Sequence, residues 1–110
     1  MTYNKPTDPI TPISSSDWKA TYKGQLLQVK GRVEVPTSGI TGILRTIIPG
    51  ADDPKLMLLE LILEREGRIH IPAIETIAVE FSEVAPAINA TEIDIVVGQE
   101  AIARVAIERT

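Results

Sequence analysis

The chain has no cysteine among its 110 residues, one histidine, and only four aromatic side chains, Tyr3, Trp18, Tyr22 and Phe81. Without cysteine there is no disulfide framework, no thiolate nucleophile and no thiolate metal site. A zinc site normally takes three or four histidine, cysteine or carboxylate ligands, and His70 alone is a poor start for one. It falls between Ile69 and Ile71, so on a strand it points away from the isoleucine face and toward water. A general base also needs a carboxylate to orient it, and neither Glu75 nor Glu80 is placed beside His70 by sequence. The scarce aromatics leave little on which bases or sugar rings could stack. A basic excess is missing too. The formal charge is −4 and the pI about 4.9, with acids and bases interspersed. Phosphate backbones demand the opposite balance, so nucleic acid is not an expected partner. Mild net acidity serves solubility instead.

Long apolar runs are also lacking. The longest, residues 56–63, spans eight positions and has Glu60 inside it, whereas a membrane helix needs about 20. The first sixteen residues contain no apolar stretch of the secretory kind. The expectation is a soluble protein, cytoplasmic by default, without a membrane partner.

What the chain does have is alternation. Leu27, Val29, Gly31, Val33 and Val35 alternate with Gln28, Lys30, Arg32 and Glu34. Ile77, Val79 and Phe81 alternate with Ala78, Glu80 and Ser82, and Ile93, Ile95 and Val97 keep the same period. A period of two marks strands with one face on a core and the other in water. Sixteen isoleucines carry that core, and β-branched side chains suit a pleated surface. At this length the chain forms one domain, large enough to fold without metal or disulfide.

Along the chain, residues 1–16 read as an extended or disordered tail, with Pro6, Pro9 and Pro12 at intervals of three. Ile10 and Ile13 could anchor it along a sheet edge or on a neighbouring subunit. Trp18 and Tyr22, four apart, would share a face of a short helix and close one end of the core. A turn at Lys23-Gly24 leads into a strand over 26–35, where Gly31 signals a bulge or a close approach by other backbone. A second strand, over roughly 41–48, ends at Pro49-Gly50. Segment 51–67 is ambiguous. Asp53-Pro54 could start a helix and Gly67 cap it, but Met57, Leu59, Leu61 and Leu63 form an unbroken period-two face. The strand reading is preferred, with Glu64–Gly67 as a hairpin connection to a strand over 68–71. Further strands follow over 75–82, 91–97 and 101–108.

Sites are scarce. Asp52 and Asp53, or Glu92 and Asp94, offer paired carboxylates, but neither set has the ligand spacing of a calcium loop. None of Ser14, Ser15, Ser16, Ser38 and Ser82 sits on the constrained elbow of a serine nucleophile. Gly39-Ile40-Thr41-Gly42 lacks the lysine of a phosphate loop. Asn89-Ala90-Thr91 matches a glycosylation sequon that matters only in a secretory setting. No catalytic, cofactor-binding or metal-ligating residue is identified, and no cofactor is expected.

The sequence thus predicts an all-β domain over 17–110: a small antiparallel β-sandwich of six or seven strands, immunoglobulin-like or related. The alternative is an α+β fold with a helix at about 54–66. The expected function is a non-catalytic interaction or structural module that self-associates or binds a protein partner. If 56–63 is a strand, its even face leaves Leu56, Leu58 and Ile62 in need of cover. The alternative is a small apolar ligand held between the sheets.

Overall fold

The computed structural model describes residues 10–47, 53–66, 71–86 and 88–109. These residues are all-β and contain no helix. Seven strands follow one another: β1 (Ser14–Lys23), β2 (Leu26–Val35), β3 (Ile40–Thr46), β4 (Leu56–Arg65), β5 (Glu75–Val84), β6 (Glu92–Val97) and β7 (Glu100–Arg109). They form one sheet in the order β3-β4-β6-β7-β1-β2-β5. The sheet is nearly closed into a barrel, because its two outermost strands, β3 and β5, pack side by side.

This single rolled sheet stands where the sequence predicts two packed sheets. Alternation requires only that one face of each strand be apolar, and a sheet curled onto itself meets that demand as well as a sandwich does. The turns separate hairpins from crossovers. Gly24 and Gln25, both at positive φ, close a tight β1–β2 turn, and Gly98 at φ 64° does the same between β6 and β7. β1–β2, β2–β5, β3–β4 and β6–β7 pair antiparallel. β4–β6 and β1–β7 pair parallel, because connections cross from one side of the sheet to the other.

The core fills the inside of the roll. Leu27, Val29, Val33 and Val35 come from β2, Leu59 and Leu61 from β4, and Val79, Ile93, Ile95 and Val105 from the other strands. Two glycines let the sheet close this tightly. A Cβ on Gly31 would lie 2.3 Å from the Trp18 ring, and one on Gly42 would lie 2.7 Å from Val79 across the β3–β5 seam. Gly31 therefore does signal a close approach, but by an indole rather than by backbone. The bulge lies opposite it, in β1 between Ser16 and Lys19, where Asp17 takes φ 57°.

Other expectations change in detail. Segment 54–66 is not a helix: Leu56–Arg65 pairs with β3 and β6 over its length, and Met57 and Leu63 pack on the core beside Leu59 and Leu61. Trp18 and Tyr22 sit on a strand, where their even spacing also gives them one face, and both pack on the core. The stretch assigned to a tail already contains structure. Ser14–Ser16 pair with Glu34–Arg32, the Ile13 amide donates to the Glu34 carbonyl at 2.8 Å, and Ile10 is buried in the core. Glu64 and Arg65 belong to β4 rather than to a hairpin connection. The strand expected over 68–71 falls largely outside the described residues, as do His70 and Asp52.

Candidate functional site

Two surfaces stand out once the roll is formed. The first is the outer face of β3, β4 and β6. The odd residues of β4 fill the core, so the even ones, Leu56, Leu58, Glu60 and Ile62, point outward. None of the four is fully buried. Cross-strand register sets Ile62 beside Ile43 of β3, Leu58 beside Asp94 of β6, and Glu60 between Arg45 and Val96. Ile43 is 51% exposed. The face is thus a strip of aliphatic side chains interrupted by two ion pairs. Arg45 donates to Glu60 Oε1 from both Nε (3.0 Å) and Nη2 (2.8 Å). Arg104 of β7 grips Asp94 in a fork, Nε to Oδ1 at 2.7 Å and Nη2 to Oδ2 at 3.0 Å. Asp94 is buried, and its carboxylate raises the Arg104 guanidinium above its ordinary value, first by hydrogen bonding and then by charge attraction.

The second surface is a cleft at the end of the roll where β1 begins. β1 and β7 pair over only three positions, Ala20 with Ile107, Thr21 with Glu108 and Tyr22 with Arg109. Beyond them the two strands part. The bulge at Asp17 and Trp18 bends β1 away, as an inserted residue does. Trp18 turns onto Gly31 and donates from Nε1 to Ser15 Oγ at 2.9 Å. The resulting half-open cleft has a volume of about 410 Å³ and lies between Thr11–Ser15 on one side and Val97 and Glu100–Ile102 on the other.

The opposite end is closed by a clamp. The Tyr22 hydroxyl donates to the Ala85 carbonyl. The Arg109 guanidinium lies 5.2 Å from the Tyr22 ring centre and donates to the carbonyls of Ile88 (2.6 Å) and Ala90 (2.8 Å). These contacts hold the β5–β6 connection across the roll, so Tyr22 does help to close one end of the core.

The residues weighed for chemistry are spread apart or occupied structurally. Asp53 Oδ1 accepts from the Lys55 amide at 2.9 Å, the local bond of an aspartate turn. Asp94 is held by Arg104, and Glu92 lies two residues away on the same face. Ser15 accepts from Trp18, Ser38 Oγ accepts from the Ile71 amide at 2.9 Å, and Ser82 accepts from Gln28 at 3.3 Å. Gly42 of the glycine-containing segment makes room for Val79. Among the described residues no group of three or more histidine or acidic side chains could hold a metal ion, and no helix is long and apolar enough to cross a membrane. The sequence reading missed the cleft, because its walls come from residues nearly ninety positions apart in the chain. The outer strip it found in part, through Leu56, Leu58 and Ile62.

Comparison with protein-family models, with curated proteins and with solved structures returned no match.

Proposed function

We propose that the chain is a soluble, non-catalytic interaction module that self-associates through the outer face of β3, β4 and β6. The observation that carries this is the aliphatic strip of Ile43, Ile62, Leu58 and Leu56 on a face over which the described residues place no second sheet. In the monomer Ile43 stays exposed and Leu56, Leu58 and Ile62 stay half-buried on adjoining strands, and outward apolar surface of that kind marks an interface. A second copy suits it because a two-fold contact sets the same strip against itself. The Arg45–Glu60 pair within the strip also brings both signs of charge, so two copies can meet without like charges opposed. Close packing at two points supports this reading over an apolar ligand inside the roll, since Trp18 occupies the space above Gly31 and Val79 the space beside Gly42.

Light scattering on a sizing column provides the test. The full chain is expected at twice its 12.0 kDa mass, and Ile43→Glu with Leu58→Glu at the single mass with an unchanged far-ultraviolet spectrum. A full chain that stays at the single mass at high concentration would sink the proposal.

A further inference from the structure

We infer that the cleft between β1 and β7 receives an extended peptide strand from a partner protein. This site is separate from the outer strip and does not depend on it. Its walls are two strand edges of one sheet. Continued past Ala20 and Ile107, the parallel register would set Ser14 beside Ala101 and Ser15 beside Ile102. Those four residues are not paired there and line the cleft instead. Ser14–Ser16 pair only with β2 and Glu100–Ala103 only with β6 among the described residues, so the main-chain groups on both inner edges have no strand partner. Unpaired edges of this kind template strand addition, with main-chain hydrogen bonds giving affinity and alternate side chains giving specificity. Here a single guest strand meets an edge on each side, which would extend the sheet where the β1–β7 ladder stops.

The lining sets the chemistry of the guest. Ile13 is 51% exposed at the mouth, and Val97 and Ile102 line the cleft, which calls for apolar residues at alternate positions. Among the described residues Glu100 is the only charged one on the walls, so a lysine or arginine is favoured beside it. Asp17, next to the walls, is already engaged with Arg32 at 3.7 Å and leaves Glu100 as the determinant of charge.

The experiment selects a phage-displayed library of random twelve-residue peptides on the full chain, after depletion on an Ala101→Trp variant shown by circular dichroism to be folded. The expected peptides alternate apolar residues with a lysine or arginine. They slow amide exchange at Ser14–Ser15 and Glu100–Ile102, and Glu100→Lys weakens them. Methylating alternate peptide nitrogens is expected to lower affinity by about tenfold or more, because several main-chain bonds are lost together. Absence of enrichment over the variant overturns the inference. So does a bound peptide that leaves those amides unprotected or tolerates methylation on either set of nitrogens.

Discussion

Gly31 leaves the room that the Trp18 ring fills, and one atom decides their relation. A methyl at position 31 would overlap the indole at 2.3 Å, so Gly31→Ala is expected to cost about 1–3 kcal/mol, the usual range for overpacking. Trp18 is the only tryptophan, so urea unfolding followed by its fluorescence reads the effect directly. If the clash is the cause, adding Trp18→Leu, followed by circular dichroism, recovers part of the loss. A second prediction contrasts the two ion pairs. Arg104→Met leaves Asp94, which is buried, and Arg45→Met leaves Glu60, which is half-buried, and removing the partner of a buried charge costs more than removing that of a more solvated one. Arg104→Met should therefore lower the urea midpoint further than Arg45→Met. A comparable midpoint for both variants would show that water reaches Asp94. Ile10 supplies the third. As a buried member of the core cluster, its replacement by alanine is expected to cost about 2 kcal/mol, less than a fully enclosed site would lose, since terminal chain adapts more easily. None of these relations is visible in sequence. Gly31 is marked there as unusual for a strand, but the identity of what approaches it depends on a partner thirteen residues earlier turned inward by a bulge.

At the scale of elements, period-two alternation was enough to locate β2, β5, β6 and β7 to within a residue or two, since each shows one apolar and one polar face. β4 was legible through its odd face alone, because aliphatic side chains on both faces mimic the composition of a helix. β1 was the hardest to read. Its serines and charged residues resemble a tail, and the bulge breaks the alternation at Asp17. That bulge leads to a further prediction. Asp17 takes φ 57°, a region open to aspartate and glycine but costly for a β-branched residue. Asp17→Gly should leave stability within about 1 kcal/mol, whereas Asp17→Val should lose about 1–2 kcal/mol. An equal effect of the two, by thermal melting, would show that β1 can straighten there. The candidate surfaces divide the same way. Leu56, Leu58 and Ile62 are neighbours along one strand and could be picked out by spacing, whereas the cleft arises from two strands at opposite ends of the chain.

Across the whole molecule, the choice between a sandwich and a closed roll rests on which strands meet, and pairing partners leave no local mark in sequence. Leu27 faces Glu83, and Tyr22 lies beside Arg109. The cost of closing such long loops before their contacts form makes folding slow, so refolding followed by Trp18 fluorescence is expected on the millisecond-to-second scale typical of nonlocal β folds. β7 adds a directional consequence. It joins β6 to β1, and it is the last of the seven strands to leave a ribosome. Until residues 100–109 emerge, β6 and β1 each present a bare edge, and the β1–β2 hairpin has nothing to dock against on that side. During synthesis the nascent chain is therefore an open ribbon whose fate depends on the ten residues of β7, and chaperone demand should peak just before they appear.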